Sequence, residues 1–314
     1  MICKTNILNN SYSFFRLERD VLLVDIEQLN TFLLVANTKS FTRTAEISNV
    51  VQSTVTSRIQ MLERQLGKEL FWRDKRNIRL TKAGQIFLPY AERIMELSNE
   101  GVKSVQLDQS FTTQIIIGTT HAVWDYVLYN TINKFQRLHQ DISLSMKTEH
   151  SNNIIRKMID GLIDIGIVFY PVQHANIVKE LIIEDTFILV TDPSCKISKR
   201  PISPSDLKNL PYIHLDWGGS FSSWFRQEIG NQFVSQLEVD HVSLMLKFIT
   251  SKQGFGFIPY SVAKGLIQKR IVTQVPFESK VPIPNRSLYL LRRKHNNSIK
   301  HIEKLTDYFK NEFY

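Results

Sequence analysis

The chain has 314 residues, 43% hydrophobic and 22% charged, enough to bury more than one core and to suggest two domains. No run reaches the roughly 18 apolar residues that cross a bilayer, and Arg16, Glu18, Arg19 and Asp20 interrupt any signal-peptide core. Two cysteines, Cys3 and Cys195, cannot by themselves form a disulfide framework or a four-ligand zinc site, which favours a reducing, cytoplasmic setting. The formal net charge of +9 is compatible with a polyanionic partner, and its distribution is more telling than its size. Between Arg58 and Lys82, eight basic residues stand against three acidic ones.

Residues 1–23, "MICKTNILNNSYSFFRLERDVLL", mix Asn, Ser and scattered charge without a sustained period. A segment this polar buries too little to offset its own ordering and is expected to be a disordered tail. The basic residues Lys4, Arg16 and Arg19 leave open an arm that lies on a polyanion or a partner subunit. Asp25 then caps a helix carrying Ile26, Leu29, Phe32, Leu33 and Val35, which ends near Asn37–Lys39. Ser40 caps a second, short helix over Phe41–Ser48.

The third helix presents Val55, Ile59, Leu62 and Leu66 on one apolar face, spaced four, three and four apart. Opposite lie Ser53, Ser57, Gln60 and Arg64, flanked by Gln52 and Thr56, where surface helices ordinarily carry Glu and Lys. Gly67 ends the helix. Leu70-Phe71, a basic tip (Arg73–Asn77) and Ile78–Thr81 read as a β-hairpin. Three short helices and a hairpin make a winged helix-turn-helix, whose third helix enters a DNA major groove with its Gln, Ser, Thr and Arg near base edges. The basic hairpin tip suits phosphates or the minor groove. A plain three-helix bundle with a hydroxyl-rich helix is the competing reading.

Five stretches carry a specific resemblance: "QLNTFLLVA" (Gln28–Ala36), "SFTRTAE" (Ser40–Glu46), "QSTVTSRIQMLE" (Gln52–Glu63), "LGKELFWR" (Leu66–Arg73) and "LTKAG" (Leu80–Gly84). In this order and spacing, residues 25–84 resemble the DNA-binding domain of LysR-type transcriptional regulators. The resemblance implies base contacts at Gln52, Ser53, Thr54, Thr56, Ser57 and the hairpin Arg76. Arg58 joins them as a residue that takes over from Ser57, a position often Arg in relatives. Two positions depart from the family pattern. Val51 stands where a capping Ser or Thr precedes Gln52, with Asn49 a possible substitute cap, and Thr44-Ala45 replaces an Ala pair. Val24 stands where the family's initiator methionine falls, so residues 1–23 also read as a start-site artefact.

Lys82–Ser110 reads as one long helix with Pro89 inside it. Phe87, Tyr90, Ile94 and Leu97 form a seam suited to a second helix. The domains expected are the extension 1–23, the winged helix-turn-helix 24–82, the linker and dimerisation helix 83–112, and an effector-binding domain 113–314. In that last domain strands and helices alternate, which implies a parallel α/β sheet. The resemblance implies two lobes with a periplasmic-binding-protein-like fold, lobe I over 113–169 and 277–314 and lobe II over 170–276, with an effector between them.

Strand ends and helix starts then nominate the cleft residues: Thr119, Thr120 and His121 after the first strand, His150 and Ser151 after the second, Tyr170 after the third, and Trp217 and Ser220 from lobe II. Exposed N–H groups and hydroxyls at helix starts favour an anion. Thr119-Thr120-His121 resembles the sulfate-responsive branch of the family, but Ala122 and Val123 follow where that branch has polar residues, so sulfate is one candidate among several.

No Gly-x-Ser-x-Gly elbow, P-loop or His-Glu-x-x-His is present, and Gly254-x-Gly256 lacks the other Rossmann glycines. His121 and Asp125 lack a third metal ligand. A solute-binding protein shares the C-terminal fold, but the winged helix argues against it. The expectation is a cytoplasmic regulator, not an enzyme, with no cofactor, metal or membrane. Its partners are double-stranded DNA, a small effector and itself, as a homodimer and a homotetramer.

Overall fold

The computed structural model describes residues 24–74, 77–106, 111–170, 172–195, 201–252, 254–294 and 299–313. The extension 1–23 and Arg76 lie outside the described residues. The chain divides into two compact units, one ending at Val105 and the other beginning at Gln106.

In the first unit, α1 (Ile26–Thr38) starts at Asp25, whose carboxylate accepts the Glu27 N–H at 3.0 Å while the Gln28 side chain accepts the Asp25 N–H at 3.3 Å. Helix α2 (Phe41–Ile47) is capped by Ser40, which accepts the Arg43 N–H at 3.2 Å. Helix α3 (Gln52–Leu66) has Val51 at its N-cap with no side-chain cap bond. Asn49 does not replace that cap; it turns the chain between helices in the left-handed region, φ 52°, which Asn tolerates better than most residues. Thr44, in place of an alanine, is fully buried, and its hydroxyl is satisfied at 2.8 Å by that of Thr38.

Leu29, Phe32 and Val35 of α1 pack on Val55, Ile59 and Leu62 of α3, the helical-period face read from the sequence. The hairpin β1 (Phe71–Asp74) and β2 (Asn77–Leu80) pairs Phe71 with Leu80 and Asp74 with Asn77. Glu63 fastens it to α3 by accepting the Leu70 N–H at 2.8 Å and the Phe71 N–H at 3.3 Å. Helix α4 (Lys82–Val105) contains Pro89 and ends at Val105, which is 87% exposed; the rest of the helix expected from the sequence, 107–110, lies outside the described residues. Phe87 does not belong to the expected seam: it packs on Phe32, ring centroids 5.4 Å apart. Ile86, Tyr90, Ile94 and Leu97 form the apolar stripe that α4 leaves exposed.

The second unit runs β3 (Thr113–Thr119), α5 (His121–Val123), a π-helical turn (Trp124–Leu128), α6 (Tyr129–Leu138), β4 (Ile142–Thr148), α7 (Ser151–Ile159), β5 (Ile165–Val168), β6 (Ile177–Thr191), α8 (Pro204–Leu207), β7 (Ile213–His214), α9 (Gly219–Ile229), β8 (Leu237–Glu238), α10 (Val242–Thr250), β9 (Gly256–Pro259), α11 (Tyr260–Gln268), β10 (Thr273–Val275), β11 (Asn285–Arg293) and α12 (Ile299–Phe313). Strand β3 is parallel to both β4 and β5, as strand–helix–strand connections require. Strand β11 joins antiparallel to β5 and to β6.

The long β6 serves two lobes. Its residues 177–186 pair with β11, whereas 187–190 pair with β9 and 189–191 with β10. The lobe boundary at 169/170 read from the sequence is therefore corrected: the first half of β6 completes the sheet of β3, β4, β5 and β11, and the crossover falls at Thr186–Phe187. Separate cores lie on either side of it. Ile115, Phe135, Leu290 and Leu305 belong to one, and Met245, Ile249, Ile258 and Val262 to the other.

Gly84 of α4 marks the closest approach in the first unit. A Cβ there would lie 2.2 Å from the Leu70 carbonyl oxygen, so Gly84→Ala is expected to destabilise by about 1–3 kcal/mol through overpacking. Gly101 on the same helix has nothing within 4 Å, and Gly101→Ala should be neutral or stabilising by about 0.5–1 kcal/mol. Denaturant unfolding of the full chain, followed by a signal from the first unit, checks the pair.

Candidate DNA-reading helix and ligand cleft

On α3, Gln52, Ser53, Ser57, Gln60 and Arg64 are exposed or partly so, and Thr54 and Thr56 are half-buried. Gln52 is steadied by Thr42, whose hydroxyl donates to its side-chain oxygen at 3.1 Å. Thr56 donates to the Gln52 carbonyl at 3.0 Å and so keeps its acceptor lone pairs outward. Arg58 is engaged differently from expectation: its guanidinium forms an ion pair with Glu27 of α1. The remaining first three turns offer hydroxyls and amides, groups that hydrogen-bond in either direction and suit base edges.

A cleft of about 670 Å³ opens at the β6 crossover. It gathers Thr120, His150, Ser151, Tyr170, Trp217 and Ser220 from the expected set. Thr119 is not there. Its side chain is fully buried and its hydroxyl donates to the Ile167 carbonyl at 2.7 Å, within the sheet. His121 is not there either; its ring packs edge-on against His241 at 4.9 Å, and it lines a separate recess with Trp124, Tyr129 and Met146.

The hydroxyl of Thr120 is sealed from solvent without a hydrogen-bond partner. Ser151, in the first turn of α7, accepts the Phe169 N–H at 3.3 Å. Tyr170 donates to the Asn152 side chain, and burial raises its phenol pKa above the ordinary value. Trp217 presents its ring, because its indole N–H is spent on the Phe257 carbonyl at 2.8 Å. Gly218 and Gly219 both have positive φ, 70° and 53°, which lets the chain turn sharply into α9 beside Ser220. Asp216 anchors this turn by accepting the Gly218 N–H at 2.9 Å and the Ser222 hydroxyl, and the Ser222 bond does most to hold its carboxyl below the usual range.

The sequence expectation misses Arg286, which β11 places at the crossover, together with Asn285, Ser287 and Tyr289. The Arg286 guanidinium lies over the Phe169 ring, 3.4 Å from its centroid, with the Trp217 ring at 5.2 Å. Burial lowers its pKa to about 10, so it stays cationic at neutral pH. Asp185, opposite it in register, accepts the Ser261 N–H at 3.1 Å and also its hydroxyl; burial raises that carboxyl above its ordinary value.

A polar, exposed recognition helix in one unit and a two-lobed ligand cleft in another define a DNA-binding regulator that senses a small molecule. Two family models match the chain: "Bacterial regulatory helix-turn-helix protein, lysR family" over residues 26–85 and "LysR substrate binding domain" over 108–313. The chain belongs to the LysR family of transcriptional regulators. Among its relatives is the HTH-type transcriptional regulator HdfR of Yersinia pestis (strain Pestoides F), 28% identical over 256 residues, or 81% of this chain and 87% of the relative. HdfR of Yersinia pseudotuberculosis serotype O:1b (strain IP 31758) matches to the same extent, 28% over 256 residues. Among solved structures, full-length CbnR complexed with its target DNA is similar with a TM-score of 0.68 at 19% identity, covering 92% of this chain and 99% of that one. A full-length OxyR variant from Pseudomonas aeruginosa has a TM-score of 0.53 at 20% identity, covering 91% and 94%. Among the described residues no helix is long and apolar enough to cross a membrane.

Proposed function

We propose that α3 reads an operator through Gln52, Ser53, Thr54, Thr56 and Ser57, with Arg76 of the hairpin tip on the DNA backbone. The exposed amide-and-hydroxyl surface of α3, with Gln52 steadied by Thr42, supports this reading. Arg58 holds α3 to α1 through Glu27 instead of joining the reading set. The apolar stripe Ile86, Tyr90, Ile94 and Leu97 on α4 suits a second copy of the helix, giving a homodimer that meets two half-sites and associates further into a tetramer. The protein acts in the cytoplasm, where its DNA lies.

The effector is a small anion in the cleft, held by Thr120 and Ser151 with His150, Tyr170, Trp217 and Ser220 around it. The unpartnered Thr120 hydroxyl and the open first turns of α7 and α9 support an anionic occupant. Thr119 and His121 are outside this set.

Gln52→Ala is expected to cost about 1–3 kcal/mol on the specific site and little on random DNA. Binding titrations on both DNAs at one salt concentration measure this, and equal loss on the two would remove the base-reading role. Thr120→Val should abolish the effector response in a reporter assay while operator binding without effector stays at the parental level. A normal response from that variant would put the effector elsewhere.

A further inference from the structure

Three arginines lie on β11, and two are paired within the described residues. Arg293 meets Asp164 at 2.9 Å, and Arg292 meets Glu180 at 4.0 Å. Arg286 differs. Its cross-strand neighbour is Asp185, which strand register puts on the same face of the sheet. Yet among the described residues no carboxylate lies within ion-pair distance of the Arg286 guanidinium, and Asp185 turns to Ser261 instead. The Nη1 group of Arg286 is sealed from solvent and has no hydrogen-bond partner. A sealed, unpartnered N–H of a cation is costly, and stacking on Phe169 and the through-space attraction of Asp185 offset only part of the cost.

Stacking also fixes how the cation can be met. The ring of Phe169 takes one face of the guanidinium, which leaves N–H groups along its edge, the geometry that a carboxylate accepts in two parallel bonds. Arg286 forms part of the wall of the main cleft and of a chamber of about 10 Å³ behind it, shared with Asp185 and Ser261, which has room for at most one water. Tyr170, Trp217 and Tyr289 present aromatic surface to the main cleft, backed by the buried Phe187 and Phe221. A tetrahedral inorganic oxyanion would leave most of that surface and most of the 670 Å³ unused.

The geometry points to Arg286 as the charge partner of the effector, and to an organic carboxylate with a flat apolar body, in preference to an inorganic oxyanion, as the class it takes. This rests on the anion-in-the-cleft reading above and narrows it. Thr120 and Ser151 then supply secondary hydrogen bonds, and the aromatic walls cover the body.

The test follows calorimetry of the full chain, with intrinsic tryptophan fluorescence beside it, for three probes: 2-naphthoate, the neutral 2-naphthalenemethanol, and sulfate. The parental protein should bind 2-naphthoate more tightly than either of the others. Arg286→Gln should weaken 2-naphthoate by at least about tenfold, as loss of a charge-assisted hydrogen bond implies, and leave 2-naphthalenemethanol unchanged. Asp185→Asn, which keeps an acceptor for Ser261, removes a competing negative charge and should tighten 2-naphthoate alone. It also decides the matter if Arg286→Gln does not fold. Equal weakening of both naphthyl probes in Arg286→Gln, or no tightening in Asp185→Asn, would overturn the role of Arg286. Sulfate binding that Thr120→Val abolishes, with no binding of 2-naphthoate, would overturn the carboxylate class while keeping the anion reading. No anion binding in the cleft at all would end both.

Discussion

One strand belongs to two sheets, and the effector-binding unit is organised around that fact. Residues 177–186 of β6 hydrogen-bond to β11, and from Phe187 onward the strand pairs with β9 and β10. A sheet must present its edges and faces to something, so a strand that changes partners leaves a gap where the two sheets diverge. The cleft lies in that gap. Phe187 sits on one side of the change and Arg286, opposite Asp185, on the other. Each side has its own packed core, so a ligand that touches both lobes acts on the strand that their two sheets share.

The DNA-binding unit shows the opposite economy. Its interior is closed by apolar side chains at helical period, and its polar exceptions are satisfied internally: Thr44 by Thr38, the hairpin N–H groups by Glu63, and the Thr81 hydroxyl by the Glu69 carbonyl at 2.7 Å. The Ser and Thr side chains on the outer face of α3 are weak helix formers, and the helix is held by Val55, Ile59 and Leu62 beneath them. That division of labour leaves the surface free to be chosen for what it contacts.

Much of this was legible in the residues. The Asp25 and Ser40 caps, the α3 core face and the Gly67 stop follow from helix period and capping chemistry, and the helices appear where those signals place them. Six of the eight residues nominated from strand ends and helix starts line the cleft, because such ends converge in α/β folds. Thr119 still belongs to β3, which is buried on both faces at this end, and its hydroxyl is taken up by the neighbouring strand. Phe87 fell at the right spacing for an outward seam, but period alone does not say which of two apolar stripes on α4 meets the core. Arg286 carried no signal at all. In "NRSLYLLRR" nothing distinguishes it from Arg292 and Arg293, and only the third dimension turns its neighbour Asp185 away to Ser261.

On the proposed function, the ligand cleft at the β6 crossover is where the two lobes are coupled. Amide hydrogen exchange of the full chain with and without saturating 2-naphthoate tests it most directly. Slowed exchange is expected at residues 185–188 of β6 and 286–289 of β11, with α12 unaffected. Protection spread evenly over the chain, or confined to segments outside the crossover, would contradict it.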